Sequence, residues 1–158
     1  MTGGLILGCG TTQPAVDRPT NTYGRPEITR RERLARREHH LNIVFATPGY
    51  PPSTGGVETH VHEIATRLVA RDHGVTVVTG DARRVDTPRR ERREGVRVVR
   101  CRGIAPNDAF HLAPGVAQAV RQVDADIVHA HNYHALVLPF AALGAGDRSL
   151  VMTPHYHA

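Results

Sequence analysis

Five histidines, His129, His131, His134, His155 and His157, fall at or just beyond the ends of two β-prone runs, ADIVHAH (125–131) and SLVMTPHYH (149–157). Imidazole donates or accepts hydrogen bonds near neutral pH, which suits sugar hydroxyls, phosphate oxygens and leaving-group oxygens. Residues i and i+2 of an extended strand share a face, so His129 pairs with His131, and His155 with His157, wherever the strands run that far. The same nitrogens can ligate zinc, yet no cysteine lies nearby and no H-E-x-x-H helix is present, so no metal is expected. Structural hydrogen bonding is the plainer alternative. Tyr133 and Tyr156 are either platforms for a ring or ordinary boundary residues, and Asn132 either orients a ligand hydroxyl or caps the helix that follows.

A second constellation is TPGYPPSTGGVETH, residues 47–60, which sets three prolines and three glycines between an apolar run and an amphipathic segment. Pro48, Pro51 and Pro52 stiffen the loop, whereas Gly49, Gly55 and Gly56 allow backbone geometries that other residues resist. Gly55 and Gly56 permit close approach immediately before a helix, whose N-terminal amides can receive an anion such as a diphosphate. The competing reading is a tight turn that merely starts the helix. Asp81, at the end of the second strand, would suit a ribose, but the G-x-G-x-x-G turn is absent, so nicotinamide and flavin cofactors are disfavoured. The P-loop pattern fails too, because the chain has no lysine.

These residues need a scaffold, and the hydrophobic pattern supplies one. LNIVFAT (41–47) is a compact buried strand ending at Pro48. Val57, Val61, Ile64, Ala65 and Leu68 recur at helical spacing, with Glu63 and Arg67 as an i,i+4 pair on another side. GVTVVTG (74–80) and GVRVVRC (95–101) are the next strands, the latter a candidate sheet edge because arginines interrupt its valines. Ala113, Val116, Ala117, Val120 and Val123 form another helical stripe; ADIVHAH is the fourth strand, HALVLPFAALGAG (134–146) an apolar helix, and SLVMTPHYH the start of a fifth strand. This order predicts a Rossmann-like three-layer α/β/α domain with a mostly parallel sheet and helices on both faces. Ligands of such sheets bind beyond the C-terminal strand ends, where the proline-glycine loop and both histidine segments fall.

Size and composition bound the remainder. With 158 residues the chain suffices for one domain, read as residues 41–158, preceded by a disordered or weakly helical extension over 1–40. Two cysteines imply no disulfide framework, and no run approaches the roughly 20 apolar residues that span a bilayer. A cytoplasmic location follows as the expectation, with peripheral contact at the inner face of the membrane. The net charge of +5 comes from 20 basic residues, all arginine, against 15 acidic ones. Arginine forks bind phosphate well. The arginine runs at 30–40 and 83–102 are nonetheless interleaved with acids, so they read as solvated surface and no nucleic acid is expected as a partner.

The ordered trio TPGYPPSTGGVETHV, VHAHNYHAL and TPHYHA resembles the N-terminal domain of GT-B glycosyltransferases of family 4, over about residues 41–158. The resemblance implies transfer of a hexosyl group from a nucleotide-sugar donor to a glycan, lipid or small-molecule acceptor, with retention of anomeric configuration and without a cofactor or metal. It implies that Gly55 and Gly56 lie near the donor diphosphate and sugar, and that Glu58 and His60 serve acceptor recognition. His155 matches the histidine after the fifth strand that contacts donor sugar or acceptor, with a positioning role at the reacting centre. His129, His131 and His134 match the histidine-bearing segment after the fourth strand. Nothing in the sequence corresponds to the second domain of such enzymes, so the chain is expected to be incomplete and inactive alone. The alternative is a stand-alone Rossmann-like binding or regulatory module without catalysis.

Overall fold

The computed structural model describes residues 40–80, 87–104, 112–133 and 135–155. Asp81, His134, Tyr156, His157 and all of the expected N-terminal extension except His40 lie outside them. The elements are β1 (Asn42–Thr47), α1 (Gly56–Val69), β2 (Gly74–Thr79), β3 (Arg90–Arg93), β4 (Val96–Arg100), α2 (Gly115–Gln122), β5 (Ile127–His131), α3 (Val137–Ala145) and β6 (Ser149–Thr153). Six strands form one sheet in the order β3-β4-β2-β1-β5-β6, with every pair parallel except β3–β4. The predicted α/β class with a mostly parallel sheet is therefore the observed one.

Strand alternation splits the core into two halves. On β1, Ile43 and Phe45 face a cluster that includes Tyr50 and the α1 residues Val57, Val61 and Ala65. Val44 and Ala46 face the opposite cluster, built with Val116 and Val120 of α2 and Val137 and Ala141 of α3. Both faces are thus covered, which is why the central strands read as continuous apolar runs rather than alternating ones. The i,i+4 pair forms on the solvent side of α1, with Arg67 Nη2 donating to Glu63 Oε2 at 2.9 Å. Arg148 closes the helical layer by donating to the carbonyls of Val120 and Val123 beside α2, and of Gly144 and Ala145 at the end of α3. Such a cation complements the carbonyl-rich C-termini of both helices.

The arginine-rich segment corrects the sequence reading. The edge expected at 95–101 is not the edge, because RERR forms the additional strand β3 outside it. A two-residue turn joins β3 to β4, with Glu94 at φ 48° and Gly95 at φ 83°. Positive φ at both positions matches the turn twist that suits a tight hairpin. At Gly95 an added Cβ would also come within 2.6 Å of Val69 Cγ1, so glycine is required twice over. β3 escapes hydrophobic periodicity because its four side chains are all charged and none is fully buried.

Strand order sets the place for a ligand. From β1 the chain builds outward through β2 to β4 and β3, then returns to β1's other side for β5 and β6. The reversal lies between β1 and β5, so their C-terminal ends open a crevice between the loop after β1 and the segment after β5.

A histidine cluster at the strand reversal

β5 points His129 and His131 to the same face, as their spacing predicts, and the two rings stack with centroids 4.2 Å apart. Phe45 of β1 lies 5.3 Å from each ring and forms an apolar floor under them. His129 Nε2 is bonded to Thr153 Oγ1 at 2.8 Å, which ties the strand to β6. His131 is fully buried. Its Nδ1 lies 3.1 Å from His155 Nε2, whereas its own Nε2 has no hydrogen-bond partner among the described residues.

α1 contributes the fourth ring. His60 is exposed and meets His155 and His131 edge-on, at centroid distances of 5.1 and 5.9 Å. One ring nitrogen each from His60, His131 and His155 falls within 4.8 Å of the others. Burial, reinforced by the neighbouring imidazoles, pushes the His131 pKa down to about 3, and burial likewise lowers that of His129. The buried part of the cluster is uncharged at neutral pH and offers hydrogen bonds rather than positive charge.

The proline-glycine loop forms the facing wall. Thr47 to Tyr50 are buried, with Thr47 Oγ1 donating to Gly49 O at 3.1 Å and Thr79 Oγ1 donating to Pro48 O at 3.2 Å. A turn from Tyr50 to Ser53 follows, and the Pro51–Pro52 bond is cis. Gly55 precedes α1 in an extended conformation and its carbonyl accepts from Thr59 Oγ1 at 2.9 Å. The Glu58 carboxylate folds back against Gly49 and Gly55, where added Cβ atoms would collide with it. The glycines at 49 and 55 therefore make room for Glu58. Gly56 differs, since a Cβ there would meet nothing within 4 Å and points into open space.

A buried cation that the sequence reading left on the surface holds this loop from behind. Arg100, at the end of β4, donates to Pro51 O at 2.6 Å, to Tyr50 O at 3.5 Å and to Glu91 Oε1 of β3 at 2.6 Å. Tyr50 is itself fully buried, with its hydroxyl 3.0 Å from His62 Nδ1. Burial raises the Tyr50 pKa to about 12, so the phenol keeps its proton within hydrogen-bond reach of His62. Only one signal in the sequence pointed to these residues: Arg100 stands at an inward position of the alternating β4 pattern, two residues beyond Val98.

The segment after β5 carries two residues in left-handed conformation, Asn132 at φ 66° and Leu136 at φ 49°. Leu136, not Asn132, is the N-cap of α3, and no side chain caps that helix. The capping alternative for Asn132 is thus overturned; its amide instead extends the β5–β6 pairing by donating to Thr153 O at 3.1 Å. Tyr133 is exposed beside it. Non-glycine residues in this region cost energy and cluster at ligand sites.

His60, His129, His131 and His155 meet at the strand reversal, with Asn132 next in the chain after His131, while Gly55, Gly56 and Glu58 lie together at the start of α1. The fold is a Rossmann-like α/β domain with a histidine-lined polar crevice at its strand reversal. The family model described as Glycosyltransferase Family 4 matches residues 54–158, well over half of the sequence, and the chain belongs to that family. No curated protein and no solved structure matches it. Among the described residues no helix is long and apolar enough to cross a membrane.

Proposed function

We propose that this chain forms the acceptor-side half of a retaining glycosyltransferase cleft, which transfers a hexosyl group from a nucleotide-sugar to a glycan, lipid or small-molecule acceptor. The observation that carries the reading is the pairing, at one sheet edge, of a helix N-terminus with an open Gly56 face and a histidine cluster whose buried member, His131, is uncharged. Departure of a nucleoside diphosphate builds negative charge on its oxygens and positive charge on the sugar. Amides at the start of α1 favour the first. The uncharged His131 ring favours the second, since an imidazolium beside an oxocarbenium-like centre would repel it, whereas a neutral ring positions its neighbours by hydrogen bonding. In this reading His155 holds the sugar at the reacting centre, His131 orients His155 through the 3.1 Å contact, and Glu58 and His60 face the acceptor.

The transfer needs no cofactor in this scheme, and its chemistry needs a dry, closed cleft. One wall cannot exclude water, so the chain is proposed to be inactive until a second, nucleotide-binding domain closes on it. Its work is placed at the cytoplasmic side of a membrane, where the arginine excess supports peripheral contact with anionic lipid. The test is an amide NMR titration of the chain with millimolar UDP- and GDP-hexoses, together with a sugar-transfer assay on the same sample. Shifts centred on Gly55, Gly56, His60, His131 and His155, without turnover, are expected. Shifts that avoid these residues would sink the site assignment, and measurable transfer by the chain alone would sink the two-wall scheme.

A further inference from the structure

We propose that His60, His131 and His155 form a binding site for one divalent transition-metal ion, with zinc as the natural occupant and an exchangeable water or ligand in its fourth position. The site shares its three histidines with the glycosyl-transfer reading but does not rest on it, since that reading uses no metal and ion binding is measured without any sugar donor. It stands on the convergence of three imidazole nitrogens, all within 4.8 Å of one another, from α1, from β5 and from the segment after β6. Imidazole nitrogens bind zinc at about 2.0–2.1 Å, so a tetrahedral set places them about 3.4 Å apart. His131 Nδ1 and His155 Nε2 already stand at 3.1 Å. Only His60 must approach further, and it is the exposed member of the three.

The rigid side of the site is well held. His131 is fully buried, stacks on His129 and rests on Phe45, so its ring cannot rotate away. β6, which leads to His155, is registered against β5 from Ile127–Ser149 to His131–Thr153. Without a metal, one proton must lie between His131 and His155, and whichever ring donates it, His131 Nε2 stays buried without a partner among the described residues. An ion at the Nδ1 side takes the place of that proton. Three protein ligands with one exposed member leave a position open to solvent, the pattern of exchangeable rather than structural zinc sites. The bare Nε2 also sets the strength: metal-bound histidines normally donate their second N–H to an acceptor, and lacking one costs roughly 10–100-fold in affinity. Micromolar rather than nanomolar binding follows.

The experiment strips the chain with chelator and titrates it with Co²⁺ alone, reading the visible d–d bands of the tetrahedral ion, then displaces Co²⁺ with Zn²⁺. One ion per chain at micromolar affinity is expected. His131→Phe, which keeps a packed ring, and His60→Ala, which alters only an exposed side chain, should each weaken binding by about 100-fold or more. His73→Gln, at a histidine remote from the cluster that accepts from Leu41 N, should leave it unchanged. Far-UV circular dichroism checks that each variant is folded; if His131→Phe does not fold, His60→Ala decides. No tetrahedral spectrum with the native chain, or a spectrum that His60→Ala leaves intact, would overturn the site.

Discussion

Two polar clusters flank the proline-glycine loop on the α1 face of the sheet, and they differ in what their side chains hold. Behind the loop, Arg100 meets two carbonyls and a carboxylate, while the Tyr50 hydroxyl meets His62. In front of it, His131 is as deeply buried as Tyr50, yet one of its nitrogens meets nothing among the described residues. Each cluster leaves one buried nitrogen without a hydrogen bond among the described residues, Arg100 Nε behind and His131 Nε2 in front, at a cost of about 1–3 kcal/mol for such an atom, so unmet polar atoms do not separate the two. What separates them is where the bonds go: Arg100 directs its bonds to the loop and to β3, as a scaffold does, whereas the one bond of His131 goes to His155 at the crevice.

The largest effect that sharpens this contrast is expected from Arg100→Ala. Removing one partner of a buried ion pair leaves the other uncompensated and costs about 3–5 kcal/mol. Glu91 is partly exposed in its pair with Arg100, which places the expectation near the lower end. Urea denaturation should show a lower midpoint at unchanged slope, and the nucleotide-sugar response at Gly56 should weaken as Tyr50 and Pro51 lose their anchor. A midpoint within experimental error of the native value would show that the rear cluster is not scaffold.

Acid should act through the front cluster. His131 titrates near pH 3 in the folded chain and near 6.5 when unfolded, so between those values the unfolded state binds the extra proton and stability rises with pH. The lowered pKa of His129 acts in the same direction. In the presence of chelator, each histidine should remove up to about 1.4 kcal/mol per pH unit as the pH falls below about 6.5. His131→Phe should flatten that slope by close to one proton. At pH 7.5 the same variant loses one hydrogen bond and one unmet polar atom together, so its stability should stay within about 1 kcal/mol of native. A loss as large as that of Arg100→Ala would return His131 to a structural role.

Regular elements were legible in the sequence, because the valine-rich strands and the Val57-Val61-Ala65 stripe carry their periods openly. Convergence was half legible. The i, i+2 spacing of His129 and His131 predicted their shared face, whereas the arrival of His60 depends on how α1 docks, which no local pattern encodes. β3 and Arg100 were hidden for a common reason: arginine signals solvent in composition, although its long stem and five donors also suit it to strand edges and to collecting buried carbonyls. Glu58 shows a subtler limit. The sequence marks Gly55 as a place for close approach, and the side chain that approaches it within the chain is Glu58.

That limit makes Gly56→Val the finest test of the loop. Its Cβ direction is open, so the substitution meets no protein atom and should change stability by no more than about 0.5 kcal/mol, as for other surface changes. Any ligand that sits over the first turn of α1 would meet the new isopropyl group. The expected outcome is a native urea midpoint with the nucleotide-sugar response abolished at the loop. Glu58→Gln should act in the reverse direction, since it removes the carboxylate that already occupies the positive end of the helix and so strengthens anion binding by a few-fold. Unchanged ligand shifts in Gly56→Val, at native stability, would mean that the open face is merely surface and that the diphosphate lies elsewhere.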